Sequence, residues 1–211
     1  MNFCKAHTAS FDVDAQQTFT PLCPDELPVS EGDEIVEELN RQAEFTAVRV
    51  GSKDAHSPKA IWVADEKNPV LSPITGDNVD VRWPIHAVPG SPGFELLPGL
   101  PHPKHYNYFV WKGVELDMHP YGACYHDHAE RLSTGVIEYL LKKEIETVIV
   151  GGLALDYCVK TTVLQLVKAK FKVILNLAAT RGIADDTIEQ AIHEMQTVNV
   201  TIIDSAADLI I

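Results

Sequence analysis

The sequence predicts an open six-stranded parallel α/β sheet with helices on both faces, folded as a single domain over residues 1–211. Three observations lead there. Short β-branched or apolar runs alternate with segments whose apolar residues recur at helical spacing, the order that builds a parallel sheet through crossover helices. No internal repeat, low-complexity tract or linker-like composition divides the chain. A length of 211 residues, 45% of them hydrophobic and 22% charged, supports one substantial core.

Taken in order, the first strand is expected over residues 6–14, where Ala9, Phe11 and Val13 alternate with Ser10, Asp12 and Asp14. Asp12 and Asp14, two apart, share a face of an extended strand, and the second points into whatever crevice lies at its carboxyl end. The alternative for either is a solvated loop carboxylate. A proline-bearing loop over 20–28 precedes capping residues at 30–33 and a helix whose buried face is Ile35, Val36, Leu39 and Ala43. A second strand, 46–50, runs out into Gly51-Ser52-Lys53-Asp54-Ala55-His56-Ser57-Pro58. There Asp54 and His56 project to one side if the chain is extended. They form either half of a divalent-metal site or a turn-capping aspartate beside a surface histidine.

From 57 to 111 periodicity is lost and nine prolines occur. A loop of that length in a compact domain is usually functional. It contains Trp83-Pro84-Ile85-His86, in which Trp83 is a pocket wall or a lid on the core. His86 becomes a third metal ligand if the fold returns it to Asp54 and His56. A third strand, 106–111, ends at Lys112-Gly113. The loop beyond it carries His119, Tyr121, His126 and His128, and its setting predicts ordinary exposed histidines. A helix is expected over 129–143, with Leu132, Val136, Ile137, Leu140 and Leu141 as its apolar face.

The rest repeats strand and helix: strand 147–151, helix 156–169, strand 171–176, helix 185–198 with Ile188, Ala191, Ile192 and Met195 inward, and strand 200–204. Between the first two, Gly151-Gly152-Leu153-Ala154-Leu155-Asp156-Tyr157-Cys158 turns a buried strand into a helix. A thiol at a helix N-terminus is shifted toward thiolate, and the free N–H groups there bind an oxyanion. Cys158 is thus a candidate nucleophile, against the reading of a small buried hydrophobe.

Composition narrows the function. Thirty acidic against 17 basic residues give a formal charge of −13. With no dense Lys/Arg cluster, a nucleic-acid or anionic-membrane partner is excluded and a small neutral or cationic ligand favoured. Cys4, Cys23, Cys124 and Cys158 are scattered without metal-ribbon or redox spacing, which fits a reducing cytoplasm. The first residues lack the apolar core of a signal peptide, and no run reaches the length of a membrane helix.

Asp14, Asp54, His56, Lys112 and Cys158 all fall at or just beyond strand ends, where ligand sites of such sheets lie. The same residues carry a resemblance. Asp14-Ala15-Gln16-Gln17-Thr18-Phe19, Asp54-Ala55-His56-Ser57-Pro58, Trp83-Pro84-Ile85-His86, Lys112-Gly113 and the turn at 152–159 resemble, in order, the motifs of the nicotinamidase/pyrazinamidase branch of the isochorismatase-like cysteine hydrolases. The resemblance spans nearly the whole chain. It implies a triad of Asp14, Lys112 and Cys158, and one divalent ion (zinc, iron or manganese) on Asp54, His56 and His86. It also implies a ring sandwich of Phe19 and Trp83 with Tyr121 at the edge, an oxyanion hole from the backbone N–H groups of Ala154 and Cys158, and a cis Leu153–Ala154 peptide. The expected activity is hydrolysis of nicotinamide to the acid and ammonia through a thioester, in a cytoplasmic enzyme that is a monomer or a homo-oligomer.

Three departures stand out. The loop after Phe19 is glycine-poor, Ala178 stands where many relatives carry an acid, and no second histidine closely follows His56, so three protein ligands are expected. The rivals are another amide or vinyl-ether hydrolase of the superfamily, a silent scaffold on the same fold, and a thiol-redox protein, against which the lack of a nearby resolving cysteine speaks.

Overall fold

The computed structural model describes residues 3–210. Six strands form one sheet: β1 (Thr8–Val13), β2 (Val48–Asp54), β3 (Tyr108–Lys112), β4 (Thr147–Leu153), β5 (Lys172–Arg181) and β6 (Thr201–Ile203). Their spatial order is β3-β2-β1-β4-β5-β6 and every pairing is parallel. Helices α1 (Val36–Ala43), α2 (Val136–Lys142), α3 (Lys160–Lys168) and α4 (Asp185–Thr197) cover it.

Alternation along the strands sorts the core into two faces. Phe11, Val50, Val148, Val150 and Leu175 pack with Val136, Leu140, Val163, Leu166, Ala191 and Met195, which places α2, α3 and α4 on one side. Ile35 and Leu39 bring α1 to the other, against Leu153 and Ala179. β1 is the central strand and all its residues are buried. Its polar residues find partners within the core: Asp12 Oδ2 accepts from Arg49 Nε at 2.8 Å and from the Tyr106 hydroxyl at 2.8 Å. Asp12 and Asp14 thus end up with different tasks, because Asp14 leaves the strand with φ of 43° and turns away.

Three elements differ most from expectation, one of them β5, which runs on to Arg181 instead of ending at residue 176. The helix expected over 129–143 is confined to Val136–Lys142. Gly135, at φ 84°, sets its start, and Asp127 Oδ1 holds the preceding loop by accepting the N–H groups of Arg131 and Leu132 at 2.9 and 2.8 Å. Leu132 and Leu141, assigned to its apolar face, are exposed. β2 is longer than its β-branched run, so Asp54 is the last residue of the strand, in register with Lys112 on β3.

The chain reverses its order of strand addition between β1 and β4. That reversal opens a crevice at the carboxyl ends of the two strands. Asp14 follows β1, and Cys158 follows β4.

Candidate active site

Close backbone packing builds the crevice floor. Gly152 has φ of 126°, and a Cβ there would meet the Val13 carbonyl oxygen at 1.9 Å, so only glycine lets β4 approach β1 this closely. The Leu153–Ala154 peptide is cis. A π-helical turn over Leu155–Val159 follows and leads into α3. The Ala154 carbonyl accepts the N–H groups of Tyr157 and Val159, at 3.2 and 3.1 Å, on either side of Cys158.

Cys158 meets a wholly buried lysine. Lys112 Nζ lies 3.7 Å from Cys158 Sγ and 3.1 Å from Asp14 Oδ2, also pairs with Asp54 Oδ1, and donates to the Pro120 carbonyl at 3.0 Å. The thiol and one carboxylate oxygen each of Asp14 and Asp54 lie within 4.8 Å of one another. Two further side chains hold the carboxylates. Ser52 donates to Asp14 Oδ1 at 2.6 Å, and its oxygen accepts the Asp14 N–H at 3.2 Å. The Gln16 amide clamps the Asp54 backbone both ways, donating to its carbonyl at 2.9 Å and accepting its N–H at 2.8 Å.

This environment sets the charges. Burial raises Asp14 to about 6, against the opposing pull of Lys112. Burial would lower Lys112, but Asp14 and Asp54 outweigh it and hold the ammonium charged. Burial would raise Asp54, yet Lys112 and His56 keep it well below the usual carboxylate range. The Cys158 thiol is pushed well up by burial, with Lys112 pulling against it and Asp54 and Asp14 adding to the rise. This runs against the expectation of a thiol shifted toward thiolate: burial, the largest influence, outweighs the pull of Lys112. A thiol so held would need a base to act as a nucleophile, and an Asp14 carboxylate oxygen lies within 4.8 Å of it.

Beyond Asp54 stand three histidines. His56 Nδ1 contacts the Gly113 carbonyl at 3.0 Å, and His86 Nδ1 contacts the Pro84 carbonyl at 2.8 Å. A carbonyl only accepts, so each Nδ1 carries a proton, and Nε2 is the nitrogen each ring has left for a ligand. His56 Nε2 is buried, without a hydrogen-bond partner, and 3.3 Å from Asp54 Oδ1. Burial, reinforced by the neighbouring His56, lowers His86 to about 3 and keeps it neutral. Imidazoles held by an outer hydrogen bond at Nδ1, beside an ionised carboxylate, are a donor set that suits a divalent metal ion. Asp54, His56 and His86 fit such an ion.

The third of these histidines was placed among exposed loop residues, and that placement is corrected. His119 is 4% exposed, and its ring lies 4.9 Å from that of His56 and 5.8 Å from that of His86. His126 is half-buried and His128 exposed. The 119 position follows from turns far apart in sequence, so no local spacing signalled it. Ser52 was also missed, because the strand was expected to end at residue 50; its place two residues before Asp54 would have been a signal had the strand been carried on to Asp54.

Phe19, Trp83, His86, His119, Tyr121, Ala154, Tyr157 and Cys158 wall a small cavity above the thiol. Phe19 and Trp83 are each 4% exposed. The Trp83 indole N–H donates to the Tyr121 hydroxyl at 3.2 Å, which in turn donates to Asp80 at 2.8 Å.

A buried thiol, ammonium and carboxylate at the switch point of a parallel sheet mark an enzyme of the cysteine-hydrolase class. The isochorismatase domain matches residues 8–207. The sequence is 33% identical to the nicotinamidase of Escherichia coli (strain K12) over 165 residues, 74% of this chain and 76% of that protein. It is 30% identical to the nicotinamidase of Saccharomyces cerevisiae (strain ATCC 204508 / S288c) over 213 residues, 91% of this chain and 97% of that one. The structure superposes on the nicotinamidase/pyrazinamidase of Acinetobacter baumanii with a TM-score of 0.88 at 31% identity, covering 97% and 99% of the two chains. It superposes on the zinc complex of the Pyrococcus horikoshii pyrazinamidase with a TM-score of 0.76 at 26% identity, covering 93% and 98%. The chain belongs to the nicotinamidase family of isochorismatase-domain amidohydrolases.

Proposed function

We propose that this chain hydrolyses nicotinamide, and the related carboxamide pyrazinamide, to the corresponding acid and ammonia through a thioester on Cys158. The observation that carries the mechanism is the meeting of Cys158, Lys112 and Asp14 in one water-poor cluster, with Asp14 poised near neutrality. The aromatic ring is held between Phe19 and Trp83, with Tyr121 at its edge, which leaves the carboxamide over the thiol.

Asp14 takes the Cys158 proton as the sulfur attacks the amide carbon. The new C–S bond pushes the carbonyl electrons onto oxygen, and the backbone N–H groups of Ala154 and Cys158 receive that oxyanion. Lys112 balances the negative charge that accumulates around sulfur. The C–N bond then breaks, and Asp14 returns its proton to the departing ammonia. In the second half Asp14 takes a proton from water, whose oxygen attacks the thioester. The C–S bond breaks, and the proton passes back to the cysteine as the acid is released.

Asp54, His56 and His86 would hold one divalent cation, of which zinc, iron and manganese all suit a carboxylate and imidazoles. When bound it supplies a Lewis acid that orients the pyridine nitrogen and so fixes the ring above the thiol. The zinc complex of the P. horikoshii relative supports this reading. The test is direct: purified, metal-replete protein releases equal amounts of ammonia and nicotinate from nicotinamide, and no release would contradict the assignment.

A further inference from the structure

The histidine that the sequence placed among exposed residues occupies the most constrained position in the site. Four successive contacts pin the backbone around it. The Met118 carbonyl accepts the Trp62 indole N–H at 3.0 Å, and the His119 N–H donates to the Asn78 carbonyl at 2.8 Å. The His119 carbonyl accepts from His128 Nε2 at 2.9 Å, and the Pro120 carbonyl accepts from Lys112 at 3.0 Å. Backbone donors and acceptors are thus satisfied, while both ring nitrogens of His119 are buried without a hydrogen-bond partner. The ring is nearly parallel to Trp83, at 16°, and to His56, at 19°. Phenylalanine would stack equally well and would leave no buried polar atom unsatisfied. One ligand atom each of His56, His86 and His119 lies within 4.8 Å of the other two.

We infer that His119 is a direct ligand of the cation, a third imidazole delivered by the loop after β3. The inference rests on the metal reading above and deepens it. His56 comes from the exit of β2, His86 from the proline-rich loop and His119 from a third segment, so the three nitrogens meet only in the folded chain. Asp54 Oδ1 is engaged by Lys112 as well as by His56. The imidazoles therefore form the stable part of the donor set, and the carboxylate links the cation to Lys112. Three imidazole nitrogens favour zinc, iron(II) or cobalt(II) over magnesium and calcium, which prefer oxygen.

The test uses the full chain and two metals. Zinc affinity is measured by chelator competition in the wild type and in His119→Phe, which keeps the stacked ring. Cobalt(II) is loaded into Cys158→Ala and into the Cys158→Ala/His119→Cys double variant, so that the only thiol facing the site is the introduced one. Ligation predicts that His119→Phe loses zinc affinity by at least roughly tenfold, the loss that even outer-shell partners of a ligand cause. It also predicts a near-ultraviolet thiolate-to-cobalt charge-transfer band in the double variant that Cys158→Ala lacks. Unchanged zinc affinity in His119→Phe, or cobalt bound by the double variant without that band, overturns the inference; a raised KM alongside would reassign His119 to the substrate ring. A wild-type protein that binds no zinc would remove the metal reading itself, while ammonia release would still report on the thiol chemistry.

Discussion

The ammonium of Lys112 lies 3.7 Å from the thiol of Cys158, fully buried, with two carboxylates closing the other side of it. Its charge compensates Asp14 and Asp54 at once. Lys112→Met leaves both uncompensated in the interior, a change that costs about 3–5 kcal/mol for a broken buried pair. Without the lysine both carboxyl groups titrate higher. A group whose folded pKa is raised contributes stability at low pH and loses it as pH rises, so the deficit grows between about pH 5 and 8. Urea unfolding across that range checks this; a deficit independent of pH would contradict it.

Asp14 titrates at about 6 and must be ionised to accept the thiol proton. The kcat/KM for nicotinamide therefore rises with pH through an acid limb near that value. Ser52 donates to Asp14 Oδ1 and so stabilises the carboxylate. Ser52→Ala removes that donor, and the limb moves to higher pH. A shift to lower pH, or none, would sever the limb from Asp14.

Gly113 has φ of 73°, its carbonyl accepts from His56, and a Cβ there would sit 2.2 Å from the His56 ring. Gly113→Ala adds about 1–2 kcal/mol of backbone strain and displaces that ligand. The expected outcome is a protein that stays folded but holds less metal per chain, measured by elemental analysis after dialysis together with circular dichroism. Full metal content in the folded variant would contradict the assigned role of His56.

Trp83→Phe keeps an aromatic wall and removes the indole donor to Tyr121. Loss of one hydrogen bond of about 0.5–1.5 kcal/mol raises KM roughly two- to tenfold with little change in kcat. A fall in kcat at constant KM would place Trp83 in the chemistry instead of in ring binding.

The sheet was legible because most strands are short apolar runs ended by glycine or a charged residue, and the crossovers other than the proline-rich one between β2 and β3 carry a helical stripe. Thr147-Val148-Ile149-Val150 before Gly151-Gly152 gave β4 and the turn at Cys158 together. Less legible were features decided by contacts between distant segments. The alternation in β1 suggested a half-exposed strand, whereas Arg49 and Tyr106 allow Asp12 to be buried. The start of α2 depended on Gly135 and on the Asp127 side chain rather than on apolar spacing. The residues proposed for the triad lie in motifs at strand exits, which is why they could be picked out. The upward shift of the Cys158 thiol could not be read, because it reflects how deeply the fold buries the sulfur. His119 was misread because its loop is polar in sequence, and contacts with Trp62, Asn78, Lys112 and His128 fold it inward.

The central claim is that Cys158 forms a bond to the acyl carbon. Its most direct test is rapid acid quench of the enzyme during turnover of nicotinamide, followed by mass spectrometry of the peptide containing Cys158, with Cys158→Ala assayed in parallel. The predicted result is one nicotinoyl group on that peptide and a fall in kcat of at least roughly 10⁴-fold in the variant, which remains folded. Ammonia release at an undiminished rate from folded Cys158→Ala would contradict the account.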